Sequence, residues 1–328
     1  MNRQGGRTFL LLLGIVFTII LLGEASVLSQ EKFPKKPISV IVPYAAGSGT
    51  DMEMRGIIPF VQKHLGVALT VVNLPGAQSK IGMSKAWNSS PDGYTLVILG
   101  IPAPIVVEKI FDADYKTKDF SHVYAWSISN PGLFVHAEAW KTFEEFVNAA
   151  RKKTLSASVS GWGSVAHLAG LALADEFGFQ VKWVPYEGGA NTLAPVAGKH
   201  VDFTINFIPS AIPLVKAEKI RPILIFADSH DAYPGVPIPK DLVHKIDVIA
   251  AIRGVAAPPN SPPERMAILE SAFAKAVKDP EFQEWTRKRQ ITLFPLDGKQ
   301  FAQNTLSMYK TVEKYSKLVK ELSASGIK

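Results

Sequence analysis

The sequence predicts an α/β protein of two domains, and three observations carry that prediction. Short apolar runs alternate with segments of helical period, the pattern of a mainly parallel sheet covered by helices. The chain has 328 residues, and the roughly 300 that follow an N-terminal leader are more than one core usually serves. A loop rich in small residues joins the first apolar run to the first helical segment, a junction typical of ligand-binding α/β folds.

The elements follow in chain order. Arg3 and Arg7 precede an apolar or small stretch from Phe9 to Gly23, broken at Glu24 before Ala25 and Ser26. That order reads as a secretory signal peptide over residues 1–29. The apolar run of about fifteen residues falls short of the roughly 20 that a membrane-spanning helix needs. Cleavage after Ala25 and after Ser29 both satisfy the small-residue requirement. Strands are expected at Ile38–Val42, Leu69–Val72, Thr95–Leu99, Ser156–Val159, Val181–Val184, Phe203–Asn206, Ile223–Phe226 and Val248–Ile252. The first helix begins near Asp51 and places Met54, Ile57, Ile58, Val61 and Leu65 on one face, with a kink expected at Pro59. Thr142 with Glu145, and Ser261 with Glu264, have capping-box spacing, the second with Met266, Leu269, Phe273, Ala276 and Val277 following at helical period. After residue 298 the chain reads as one long amphipathic helix ending near Ser323. No internal repeat or low-complexity segment is visible.

Composition excludes several classes. The absence of cysteine rules out disulfides, cysteine-bound metals and lipid attachment at an N-terminal cysteine. Removing residues 1–29 takes away Arg3, Arg7 and Glu24 and leaves 34 basic against 28 acidic side chains, a formal charge of +6. These charges are scattered, as in Lys32, Lys35 and Lys36, and are not interleaved with aromatics as in a nucleic-acid footprint, so no nucleic-acid partner is expected. The seven histidines contain no His-x-x-x-His pair, and neither Ser48 nor Ser158, Ser160 or Ser164 sits in a Gly-x-Ser-x-Gly elbow. No catalytic residue, metal or cofactor is therefore expected.

The most informative segment runs Val42-Pro43-Tyr44-Ala45-Ala46-Gly47-Ser48-Gly49-Thr50-Asp51. Gly47 and Gly49 allow close approach of a ligand, Ser48 and Thr50 add hydroxyls, and the helix that follows turns its partially positive N-terminus toward the loop. Such a loop suits an anion. Met52 stands where a dinucleotide fingerprint needs its third glycine, and the Gly-Lys-Ser/Thr end of a Walker loop is absent. Asp51 either satisfies the free amides of the first turn or faces the ligand.

The same segment resembles the N-terminal motif of the tripartite tricarboxylate transporter receptors, the Bug-type extracytoplasmic solute-binding proteins. Further matching stretches are Asn73-Leu74-Pro75-Gly76-Ala77, Pro91-Asp92-Gly93-Tyr94-Thr95-Leu96, Ser164-Val165-Ala166-His167-Leu168-Ala169-Gly170, Val184-Pro185-Tyr186-Glu187-Gly188 and Gly254-Val255-Ala256-Ala257-Pro258. The resemblance implies a two-lobed periplasmic binding protein fold of type II-like architecture with the ligand cleft between the lobes. It implies a discontinuous first domain (30–128 and 249–328) and a second domain (129–248). It further implies periplasmic localisation, a monomer, a small organic carboxylate as ligand, and the permease subunits of a tripartite tricarboxylate-type transporter as partners. In that family two loops grip a carboxylate through amides, hydroxyls and water. The first carries over as Tyr44, Ala46, Gly47, Ser48, Gly49, Thr50 and Asp51, and the second as Gly161, Trp162, Gly163 and Ser164. Side chains added at Gly47 or Gly163 are expected to fill the carboxylate's space. Tyr186 is a further candidate contact.

Departures from the family pattern bear on specificity. The loop after the third strand is apolar, Ile101-Pro102-Ala103-Pro104, where threonine or serine is usual. Asn206-Phe207 stands where an aspartate is common, which argues against an ammonium-bearing ligand. Arg253 either binds a second carboxylate or is structurally paired. Trp162 either stacks on a flat ligand or covers a lobe face, and His167 reads as a packed, hydrogen-bonded side chain. Ile101, Pro102, Pro104, Trp162 and Phe207 would then line an apolar pocket, with Asp51 and Glu187 the acids that weigh against that reading. The competing functions are a ligand-presenting accessory of a sensor kinase, which needs the same cleft, and an enzyme acting on carboxylates, which the missing motifs disfavour.

Overall fold

The run Ile38–Val42, β-branched except at Ser39, forms β1, buried along nearly all its length, as a strand covered on both faces must be. It opens a computed structural model that describes residues 33–186, 190–229, 233–242, 246 and 248–325. The expected signal peptide, Glu187 and the closing residues 326–328 lie outside the described residues. The first strand leads into α1 (Gly49–Leu65), β2 (Leu69–Asn73), α2 (Lys80–Trp87), β3 (Thr95–Ile101), α3 (Ala103–Ile110) and β4 (Ser121–Ser129). Next come β5 (Pro131–His136), α4 (Phe143–Lys152), β6 (Leu155–Val159), α5 (Val165–Phe177), β7 (Val181–Pro185), α6 (Leu193–Ala197), β8 (Phe203–Phe207), α7 (Ile208–Lys216) and β9 (Ile220–Ile225). The chain closes with β10 (Ala251–Ala257), α8 (Pro263–Val277), α9 (Pro280–Lys288), β11 (Thr292–Asp297) and α10 (Gly298–Ser325).

Two sheets result. The first has the order β11-β4-β10-β3-β1-β2 and the second β7-β6-β8-β5-β9. The chain passes from the first sheet to the second at Asn130, between β4 and β5, and returns between β9 and β10. The residues from Lys36 onward form one compact unit, and a single apolar cluster includes Val97 and Leu99 of the first sheet with Leu133 and Phe203 of the second.

Local chemistry explains the main helices. Met54, Ile57, Ile58, Val61 and Leu65 are the buried face of α1, and Gly66 ends it in the left-handed conformation with its N–H on Gln62 O. Gly56 permits close packing of α1 on α9, since a Cβ there would lie 2.2 Å from the Trp285 indole. In α10, Phe301, Thr305, Tyr309, Val312, Tyr315 and Val319 are buried at three-to-four-residue spacing. Thr142 caps α4 as expected, accepting from the Glu145 N–H at 3.1 Å, while Glu145 reaches back to the Lys141 N–H at 2.7 Å.

The structure corrects several expectations. Both sheets are mixed, because β5, β10 and β11 run antiparallel to their neighbours. The strands β4, β5 and β11 were not expected, and β10 begins three residues later and extends five residues beyond the expected Val248–Ile252. The expected cap at Ser261 does not form: α8 starts at Pro263, and the Ser261 hydroxyl donates to Pro258 O at 2.8 Å.

Candidate ligand-binding cleft

The loops after β1 and β6 are built alike, although no sequence repeat connects them. In each, a glycine with positive φ, Gly47 at 80° and Gly163 at 72°, turns the chain into a serine in extended conformation. Ser48 caps α1 by accepting from the Asp51 N–H at 3.3 Å, and Ser164 caps α5 by accepting from the His167 N–H at 3.2 Å. The side chain three residues after the cap then accepts the glycine amide, Asp51 Oδ2 from Gly47 at 2.9 Å and His167 Nδ1 from Gly163 at 3.0 Å. Each loop is thus clasped from both sides. The amides next in line, Gly49 and Thr50 in α1 and Val165 and Ala166 in α5, are by position the first donors of their helices, where no intrahelical acceptor exists. Two helix N-termini with fixed geometry are the donors a carboxylate requires.

Different chemistry stabilises the two clasps. Burial alone would raise the Asp51 carboxyl, but hydrogen bonds from Arg55, Asn73 and the Gly47 amide outweigh it and hold the group below its ordinary range. Burial pushes His167 down to about 4, so the ring is neutral at pH 7 and its Nδ1 is free to accept. The proton then sits on Nε2, which is buried without a hydrogen-bond partner. His167 lies between two indoles, with ring centroids 5.3 Å from Trp162 and 4.9 Å from Trp183. It is a packed, hydrogen-bonded residue, as the sequence suggested, and Asp51 is committed to its own loop rather than to the cleft.

A cavity of about 360 Å³ lies where the two loops meet. Pro43, Tyr44 and Ala45 line it after β1, Pro75, Gly76, Gln78 and Ser79 after β2, Ala103, Val106 and Val107 from α3, and Ser160–Ser164 after β6. None of these residues carries a charge. Of the residues singled out in the sequence, Tyr44, Gly161, Trp162, Gly163 and Ser164 are brought together here. Ala46, Gly47, Ser48, Gly49, Thr50 and Asp51 continue the first loop into α1 beside the cavity without lining it. Trp162 both lines the cavity and packs against the core.

Other expected positions lie elsewhere. Ile101 is wholly buried in the first sheet, with Pro102 and Pro104 also buried. The apolar wall expected from this segment is supplied instead by Ala103, Val106 and Val107, because the turn of α3 carries those side chains to the surface of the cavity. Asn206 is 4% exposed; its Nδ2 donates to Thr192 Oγ1 at 2.8 Å and its Oδ1 accepts the Phe207 N–H at 2.7 Å. Phe207 caps α7 and packs on the core. The Tyr186 N–H donates to Val159 O, and Tyr186 does not line the cavity. Arg253 is structurally paired: its Nη1 lies 3.0 Å from Glu53 Oε1 and donates to Ser129 Oγ at 2.6 Å, while Ser127 donates to Glu53 Oε2 at 2.5 Å.

Sequence reasoning passed over Gln78, Ser79, Val106, Val107 and Glu53. Ala77, Gln78 and Ser79 all have positive φ, at 45°, 55° and 84°, a conformation that costs about 1–2 kcal/mol for a residue with a Cβ. No glycine marks these three positions, so the usual sequence signal for a left-handed backbone is missing. Glu53 reads from sequence as a solvated helical acid, and only the fold shows that it meets Arg253.

Two α/β sheets joined by two crossings, with paired helix N-termini at one shared cavity, define a two-lobed binding protein. Residues 54–323 match the profile of the tripartite tricarboxylate transporter family receptor, and the chain belongs to that family. This is a family of solute-binding receptors, not of enzymes. Among relatives, a UPF0065 protein in the gbd 5' region of Cupriavidus necator is 28% identical over 326 residues, spanning 96% of this chain and 97% of that protein. Among solved structures, a TctC solute-binding protein from Polaromonas is 26% identical with a TM-score of 0.78, spanning 88% of this chain and 99% of that one. Two Rhodopseudomonas palustris proteins at 22% identity share the fold across 88% of this chain. They are Rpa4515 with adipate, at a TM-score of 0.72 and 98% coverage, and MatC with malate, at 0.69 and 100% coverage.

Proposed function

We propose that this chain is an exported periplasmic receptor, acting as a monomer, which captures a small organic carboxylate and delivers it to the permease subunits of a tripartite tricarboxylate-type transporter. The ligand has an apolar or aromatic body and needs no amino group. The observation that carries this reading is the uncharged cavity where the loops of α1 and α5 meet. A carboxylate there is held by neutral donors and helix N-termini, with Trp162, Val106 and Val107 covering its body, the mixture usual for small-ligand sites. An ammonium would be desolvated with no acid among the lining residues, a costly burial. The adipate and malate held by the two R. palustris proteins are consistent with carboxylates as the ligand class.

In this reading the first domain comprises residues 30–128 and 249–328, the second residues 129–248, and residues 1–29 are a signal peptide removed on export. No helix among the described residues is long and apolar enough to cross a membrane. A thermal-shift screen of mono-, di- and tricarboxylates, aromatic acids and amino acids tests the proposal. A true ligand at a hundred times its dissociation constant adds about 2.7 kcal/mol of stability. Tighter binding of glutamate or aspartate than of aromatic and simple dicarboxylic acids would overturn the ligand class.

A further inference from the structure

We infer that Ser79, together with Tyr44, forms a subsite for a neutral hydrogen-bonding substituent, a hydroxyl or keto oxygen, on the carboxylate ligand. The inference rests on the carboxylate reading above and narrows its ligand class to hydroxy and keto acids.

Two independent features of the Pro75–Ser79 segment point to a ligand. Ser79 is only 2% exposed, yet its Oγ has no hydrogen-bond partner, and the residue lines the cavity. A buried hydroxyl left unpaired is unfavourable and uncommon in folded proteins. The second feature is the backbone itself. Ala77, Gln78 and Ser79 are three successive residues with side chains in left-handed conformations, and strain of that kind concentrates at ligand clamps.

Packing keeps the segment in place. The Ser79 N–H donates to Gly76 O at 3.0 Å. At Gly82 a Cβ would lie 2.7 Å from both Leu74 O and Pro43 Cβ, so the start of α2 is pressed directly against the loop that follows β1. This contact brings Ser79 next to Tyr44. The two hydroxyls are close enough for Ser79 to lower the phenol's pKa but are not in hydrogen-bonding geometry, which leaves Ser79 Oγ without a partner. Burial nevertheless raises the Tyr44 phenol, against the opposing effects of Ser79 and Arg253, so it stays protonated and able to donate.

The charge balance favours a neutral group over a second carboxylate. No lining residue is cationic, and Arg253, the cation that acts on Tyr44, is already paired with Glu53. Ser79 can donate or accept and Tyr44 can donate, a pair that matches a hydroxyl or keto oxygen.

Titration calorimetry of the purified protein with matched acids tests the subsite. The pairs are butyrate and 3-hydroxybutyrate, phenylacetate and mandelate, and benzoate and 4-hydroxybenzoate. At least one hydroxylated acid should bind about tenfold more tightly than its parent, the effect of one satisfied hydrogen bond. Ser79→Ala should reduce that preference to within about twofold. Ser79→Gly, which suits the left-handed backbone, should do the same and serves as the second variant if the alanine form folds poorly. Equal affinities within every pair in the unmodified protein, or a preference that survives both substitutions, would overturn the subsite and leave the carboxylate reading standing. Failure of every carboxylate to bind would overturn both.

Discussion

At the scale of single residues, the clearest contrast is between Gly47 and Gly163, which do the same backbone work in different surroundings. Both have positive φ, but a Cβ at Gly47 would meet nothing within 4 Å, whereas one at Gly163 would lie 2.5 Å from Val106 Cγ1 and 3.4 Å from Val319. Gly47→Ala should therefore cost only about 1–2 kcal/mol, the price of the left-handed conformation. Gly163→Ala should cost more and also weaken ligand binding, because β-branched Val106 has little freedom to move aside. Urea midpoints and ligand titrations of the two variants provide the check, and equal losses would mean that the contact with Val106 is easily relieved. The first loop was legible in the sequence because Gly47, Gly49 and small hydroxyls lie between an apolar strand and a helical segment, and the second because Gly161-Trp162-Gly163-Ser164 matches the family pattern. Ser79 was not, since its conformation and its unpaired hydroxyl arise from the packing of Gly82 on Pro43.

At the scale of elements, the Glu53–Arg253 pair ties α1 to β10, and the Arg253 hydrogen bond to Ser129 extends that tie to the end of β4, one residue before the chain crosses at Asn130. Both side chains are largely buried, at 9% and 13% exposed. Removing one partner strands the other charge, so Arg253→Leu should destabilise the protein by about 3–5 kcal/mol. The double variant Glu53→Leu, Arg253→Leu should recover much of that loss, since a desolvated pair is often replaced by apolar side chains at little cost. A double-mutant cycle by denaturant unfolding measures the coupling, and strictly additive losses would show that the pair is not a unit. The strands flanking this region were the least legible in the sequence. β5 begins at Pro131, and β11, an edge strand, contains Pro295, where the rule that proline interrupts strands misleads. Arg253 and Gly254 break the apolar pattern of β10 because one joins an ion pair and the other accommodates close backbone, a Cβ there lying 2.4 Å from Tyr124 O. Strands such as β1, β2 and β6 carry compact apolar runs and were found almost to the residue.

At the scale of the whole molecule, two histidines in different parts of the fold, His122 partly buried and His167 fully buried, make stability depend on pH in the same direction. His122 on β4 is bonded through Nδ1 to Phe120 O and through Nε2 to Thr305 Oγ1, and His167 on α5 clasps the second binding loop. Burial pushes both down to about 4, against about 6.5 in an unfolded chain. Between those values the unfolded state binds more protons than the native one, so stability falls as pH drops from about 6.5 to 4 and levels off below that as far as these two groups are concerned. For His167, which is fully buried, the loss over the window approaches ~3 kcal/mol. Asp51 acts later: its carboxyl is held low, so its contribution is present above the ordinary carboxylate range and disappears only as pH falls through the lowered value. Protonated His167 also cannot accept the Gly163 amide, so the second loop should lose its clasp, and ligand affinity with it, before the first loop does. Urea midpoints at pH 7.5, 5.5 and 4.5 should decline stepwise, and His167→Asn, whose amide oxygen can still accept from Gly163 without titrating, should flatten the decline. A wild-type midpoint that is constant from pH 7.5 to 4.5 would show that neither histidine is held neutral by the fold.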